Sequence, residues 1–212
     1  KEMKVEVLKG VGIVVRDGKI LDMVPESQIK ERYNADVTIY ADGGCVTPGF
    51  VDPHTHIVFG GSRHEEFERR VMGATYQEIA REGGGIISTV RQTRKASEEE
   101  LLESAWNRLN NAMSCGTTTL EIKSGYGLDT ETELKMLRVI NQLAEEHPMN
   151  IVPTFLGAHA IPPEFAGDAD GYVRTVVEEM LPKVADAKLA KFCDVFCEEG
   201  YFNLGQTKRI LE

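Results

Sequence analysis

The chain has 212 residues, 42% apolar and 27% charged, ordinary proportions for a globular protein with material for a core. Twenty-four basic against thirty-four acidic residues leave a net charge of −10, which repels a phosphate backbone or an anionic lipid surface and argues against nucleic-acid and membrane partners. No apolar run reaches the roughly 18 residues of a bilayer crossing, the opening KEMKVEVLKG lacks the apolar core of a secretion signal, and four cysteines without CxxC spacing read as reduced thiols, so a cytoplasmic location is expected.

The first forty residues read as β structure. Ile13-Val14-Val15 and Ile20-Leu21 flank Asp17-Gly18, a dipeptide suited to the positive φ angles of a tight hairpin, and Val37 to Tyr40 reads as a further short strand. From Cys45 the pattern changes to strands alternating with helices. Strands are expected near 46–52, 117–122, 151–156 and 192–197. A helix from Ser97 has a capping box with Glu100, an apolar stripe through Leu101, Ala105 and Leu109, and Gly116 as its stop. Thr130 and Glu133 are read as the box of the next helix, whose stripe runs through Leu134, Leu137, Ile140 and Leu143 and ends before Pro148. A third helical pattern spans about 168–190 with a break near Pro182, and another begins at Gln206.

Four β/α units fit either an open doubly wound sheet or the first half of an eight-stranded barrel. The first βα turn lacks the GxGxxG of a dinucleotide fold and carries His54-Thr55-His56 instead. Gly83 to Gly85 has no preceding strand and no following Lys-Ser/Thr, so it reads as a tight or flexible loop, with an active-site lid as the alternative.

Residues i and i+2 of an extended segment project from one face about 7 Å apart, which allows His54 and His56 to meet one metal ion; two solvated histidines are the plain alternative. The stretch PGFVDPHTH (48–56) resembles the metal-binding first strand of the amidohydrolase superfamily. Three further segments, FGGSRHEEFERR (59–70), EIKSGYGLDTETELKMLR (121–138) and FLGAHAIPPEF (155–165), are similar to the imidazolonepropionase family within it. The resemblance implies a partial (β/α)8 TIM-type barrel over 45–212, preceded over 1–44 by part of a small β-sandwich domain. It also implies hydrolysis of the cyclic amide of 4-imidazolone-5-propanoate to N-formimidoyl-L-glutamate, in histidine degradation, with one metal ion, zinc or iron. It admits a homodimer, on which the residues themselves are silent.

Carried over residue by residue, the resemblance makes His54 and His56 metal ligands and Arg63, Tyr126 and His159 substrate contacts. Arg63 suits a propanoate because a guanidinium forms two parallel bonds to a carboxylate. His159 is also the candidate catalytic group, able to steady charge developing on the imidazolone carbonyl. A surface arginine, a packing tyrosine and a core histidine are the structural alternatives. His64 and His147 read as surface residues, Glu198 and Glu199 as a solvated pair, and Cys193 and Cys197 as buried thiols on one strand face.

In the family pattern a third metal histidine, an acid/base glutamate, a further histidine and a metal aspartate follow strands five to eight. They are expected beyond residue 212, so the chain reads as the amino-terminal half of a longer protein, unstable and inactive alone. Another amidohydrolase, such as a cyclic amidase or deaminase, and a non-catalytic fragment are the competing readings.

Overall fold

The computed structural model describes residues 6–75, 78–79 and 83–212, and the chain divides into two compact units, Lys1–Thr47 and Pro48–Glu212. In the first, β1 (Val11–Arg16) and β2 (Lys19–Pro25) form an antiparallel hairpin whose turn residues Asp17 and Gly18 have φ of 51° and 71°, the pair of positive angles foreseen for that dipeptide. Helix α1 (Glu26–Arg32) follows and packs closely enough that a Cβ on Gly12 would meet the Ile29 side chain. Val37 to Tyr40 forms no strand and is exposed, a correction to the sequence reading. Alternating Val and Ile mark a strand only where a neighbour supplies hydrogen bonds, and none lies beside this segment among the described residues.

The second unit is a four-stranded parallel sheet in the order β3 (Phe50–Thr55), β4 (Thr117–Lys123), β5 (Asn150–Ala158) and β6 (Phe192–Val195). Each strand lies beside the one before it in sequence. A doubly wound sheet would reverse its order partway, so this succession is consistent with part of a barrel.

The connections carry helices α2 (His64–Val71), α3 (Ile86–Lys95), α4 (Glu98–Ser114), α5 (Thr130–Glu146), α6 (Ala169–Thr175), α7 (Leu181–Asp186) and α8 (Leu204–Leu211). The Ser97/Glu100 capping box is formed on α4, with both reciprocal bonds present. On α5 the cap is Asp129 rather than Thr130: its carboxylate accepts from Thr132 N at 2.8 Å and leaves Glu133 free for another task. Between α6 and α7 the chain makes a π-helical turn, Val176–Met180. Pro182 lacks the N–H that would bond the carbonyl four residues earlier, and the helix widens instead of ending.

Leu101, Leu109, Leu137, Ile140 and Tyr172 interlock under the sheet with Leu120, Ile122 and Phe155 as its buried face. Burying a side chain of this size contributes on the order of 1.5–3 kcal/mol, so this layer holds the helices to the strands. At the sheet's two edges Phe50 (59% exposed) and Phe192 (61%) remain open. No helix among the described residues is long and apolar enough to cross a membrane.

Candidate active site at the carboxyl edge of the sheet

Parallel pairing puts the carboxyl ends of β3, β4, β5 and β6 along one edge, and the segments leaving them carry the candidate residues. His54 lies in β3 and His56 just beyond it, with ring centroids 5.7 Å apart. Tyr126 follows β4 and sits 5.0 Å from the His56 ring. His159 follows β5 and stacks on His56 at 4.6 Å with an interplanar angle of 10°, while Tyr126 and His159 are 5.3 Å apart. Four residues drawn from three strands therefore form one aromatic cluster. Arg63 is exposed at the start of α2, and its charge is among those that disfavour a second charge on His159. The segment after His56 is anchored by Arg108 of α4, which donates to the carbonyls of Ile57 and Phe59 at 2.8 and 3.1 Å and covers the Phe59 ring.

Burial, then the nearby His159 and His54, drives the His56 proton affinity down to a pKa of about 3, so the ring is neutral at physiological pH. Its Nδ1 is buried without a hydrogen-bond partner; the main chain at Ser124 favours the charged ring but makes no bond to that nitrogen. A neutral imidazole with an unsatisfied ring nitrogen, two residues from a second imidazole, fits a borderline-soft divalent ion. Among the described residues no group of three or more His, Cys, Asp or Glu side chains converges on one point.

His159 donates Nδ1–H to the Gly125 carbonyl at 2.9 Å, since a carbonyl only accepts. Burial lowers its proton affinity against the opposing effect of that bond. A neutral His159 consequently presents Nε2 as an acceptor.

Two features have places near the site that the sequence reading did not give them. Lys123, buried at the end of β4, donates to Glu121 at 2.9 Å and Asp194 at 3.0 Å, and Glu121 also accepts from Thr154 Oγ1 at 2.6 Å. Burial disfavours the ammonium, but these two carboxylates outweigh it and raise the lysine's proton affinity. Glu121 and Lys123 share a strand face by their spacing, a signal open to a reader of the sequence; Asp194 lies 71 residues away and is not. The second feature is Glu133, buried beneath the loop after β4.

Other expectations are corrected. His147 is buried: Nδ1 accepts from Met149 N at 3.2 Å, and Nε2 lies 3.3 Å from Asn110 Oδ1. Cys197 is exposed because β6 ends at Val195, whereas Cys193 is half-buried and its thiol is pushed up to about 11 by burial and then by Asp194. Glu198 and Glu199 are exposed, in agreement with their reading as a solvated pair. Gly83 to Gly85 leads directly into α3; Gly85, at φ 71°, is its first flanking residue and donates to Glu66 Oε1 at 3.0 Å.

A parallel β/α sheet that gathers imidazoles and a phenol at the carboxyl ends of successive strands defines an α/β domain with its candidate site where such sheets bind ligands. No family model matches the chain. Among curated proteins it is 52% identical over 205 residues to the imidazolonepropionase of Shewanella sp. (strain ANA-3), covering 96% of this chain and 50% of that protein. It is 53% identical over 200 residues to the imidazolonepropionases of Shewanella oneidensis and Shewanella woodyi, covering 94% of this chain and 49% of each. By sequence the chain is similar to imidazolonepropionases along nearly all of its length, and it spans about half the length of the curated relatives it matches.

Proposed function

We propose that the polypeptide carrying this sequence hydrolyses a ring C–N bond of 4-imidazolone-5-propanoate to give N-formimidoyl-L-glutamate in histidine degradation, using one zinc or iron ion held in part by His54 and His56. The reading rests chiefly on the convergence of His54, His56, Tyr126 and His159 at one sheet edge, in a chain about 52% identical to imidazolonepropionases. We take Pro48–Glu212 as part of a (β/α)8 barrel and the preceding unit as part of a small β-sandwich domain.

A divalent ion held in part by His54 and His56 would lower the pKa of a water bound to it towards about 7 and polarise the carbonyl under attack. Arg63 pairs with the propanoate through two parallel N–H···O bonds, which fixes the ring's orientation. Tyr126 packs beside the ring. His159, with Nδ1–H committed to Gly125, accepts an N–H of the substrate at Nε2 while neutral; donation to the imidazolone carbonyl requires its protonated form. As water adds to the ring carbonyl carbon and the C–N bond breaks, the leaving nitrogen takes up a proton. Three protein ligands are usual in a catalytic zinc site, so the reading requires at least one more ligand and an acid/base group from elsewhere in the polypeptide.

The test is an assay of the complete gene product on three substrates: imidazolonepropanoate, a cyclic amide without the propanoate, and an aminated heterocycle. Turnover confined to the first is expected. Preference for either of the others would make it a different amidohydrolase, and no turnover of any would favour a non-catalytic role.

A further inference from the structure

Glu133 has no part in the chemistry above, yet its carboxylate is wholly buried and both of its oxygens accept from the loop that carries Tyr126. Oε1 accepts from Gly127 N at 2.8 Å and Leu128 N at 2.9 Å, and Oε2 accepts from Gly125 N at 2.9 Å. Arg94, in the last turn of α3, holds the loop's carbonyls: Nε donates to Gly127 O at 2.8 Å and Nη2 to Leu128 O at 3.3 Å. The same guanidinium pairs with Asp129 and with Glu164 in the segment after β5.

The clamped loop has no room to relax. A Cβ on Gly125, where φ is 106°, would lie 2.8 Å from the Leu156 carbonyl and 2.9 Å from His159 Nδ1, and one on Gly127 would lie 2.7 Å from Glu133 N. Between those glycines stands Tyr126, and Gly125 supplies the carbonyl that orients His159. Burial pushes the Glu133 carboxyl above its usual range, opposed by the Ser124 hydroxyl and the three amides, so the groups that favour its ionised form lie in or beside this loop.

We propose that Glu133 and Arg94 are positioning residues for the candidate site: by gripping the N–H groups of residues 125, 127 and 128 and the C=O groups of 127 and 128, they set the placement of Tyr126 and the ring orientation of His159. This rests on the reading of those two residues as substrate contacts. A purely structural staple would make the same bonds, and the two differ in what a subtle substitution changes. In Glu133→Gln the shape is kept, but the amide oxygen can serve only one of the two oxygen positions; with it facing Gly127 and Leu128, an NH2 group faces the Gly125 N–H, donor against donor.

The experiment uses the complete gene product loaded with zinc. For Glu133→Gln we expect unchanged zinc per chain, kcat/KM on imidazolonepropanoate lowered about 10–100-fold per folded molecule, and loss of the Nδ1–H tautomer signature of His159 in ring ¹⁵N spectra. Arg94→Lys, which cannot span both carbonyls, should lower kcat/KM in the same direction. Leu143→Ala, a core truncation in the last turn of α5, which leads into the amino end of β5, is the control for lost stability and should retain kcat/KM per folded molecule. A kcat/KM for Glu133→Gln within twofold of wild type, or an unaltered His159 tautomer, overturns the proposal. Should wild type itself fail to turn over imidazolonepropanoate, the functional reading falls, and the His159 tautomer alone decides the role of Glu133.

Discussion

Replacing Lys123 by methionine removes a buried cation while keeping most of its volume. Two carboxylates then lose their partner. Removing one member of a buried pair typically costs 3–5 kcal/mol, because the remaining charge is left desolvated. Two features reduce that here. The Asp194 side chain is 44% exposed, so its share is that of a solvated pair, at most about 1 kcal/mol. Glu121, 17% exposed, keeps the Thr154 hydroxyl at 2.6 Å. The expected loss is about 2–4 kcal/mol, most of it from Glu121. Urea unfolding at constant m-value would measure it, and Lys123→Met combined with Glu121→Gln should recover a large part. The pH dependence has a definite sign. Lys123 has a raised pKa, so its contribution is complete below the unfolded lysine value of about 10.4 and fades as pH rises through the folded value. Burial works to raise the Asp194 carboxyl, but the bonds from Lys123 and the Val195 N–H, together with the Lys123 charge, outweigh it and leave the pKa lowered, so its contribution is present above about 3.9 and fades as pH falls through the folded value. The wild-type to Lys123→Met difference should therefore be flat between these limits. A loss under about 0.5 kcal/mol, or no recovery in the double variant, would refute the reasoning.

Arg63→Lys in the complete gene product should raise KM for imidazolonepropanoate, since an ammonium cannot reproduce the two-point pairing, with bound metal unchanged; unaltered steady-state kinetics would remove Arg63 from the site. Tyr172→Phe strands the buried Gly157 carbonyl that now accepts from the phenol at 2.6 Å, and should cost about 1–3 kcal/mol in chemical unfolding. His147 is held neutral by burial, so its lowered pKa makes the fold lose stability as pH falls below the unfolded value of about 6.5; its ring ¹H–¹⁵N signals should show the Nε2–H tautomer at neutral pH.

Local chemistry made the hairpin and α4 legible: Asp17-Gly18 demands positive φ, and Ser97 and Glu100 cap each other within four residues. The βα succession was equally visible in the apolar stripes. Helices α2 and α3 were missed because their exposed faces and polar sequences, HEEFERRV and IISTVRQTRK, carry no long apolar stripe. Glu133 was misread as a helix cap because Thr130 and Glu133 have capping-box spacing; Asp129, one residue earlier, takes the cap, and only the folded loop reveals the three amides awaiting the glutamate. In the candidate site, His54 and His56 could be paired by strand spacing alone. Their approach to Tyr126 and His159 depends on strand register across the sheet, which a resemblance supplied and periodicity could not.

The central claim is that His54 and His56 hold a metal ion required for ring hydrolysis, and His56→Asn in the complete gene product tests it most directly. Asparagine occupies less space than the imidazole and cannot supply its ring nitrogens. Bound zinc or iron per chain and turnover of imidazolonepropanoate should be measured together on wild type and variant. The account predicts near-stoichiometric metal and turnover in wild type, with metal well below stoichiometric and turnover at least about 10²-fold lower in the variant. Full metal content with wild-type turnover in His56→Asn would contradict it.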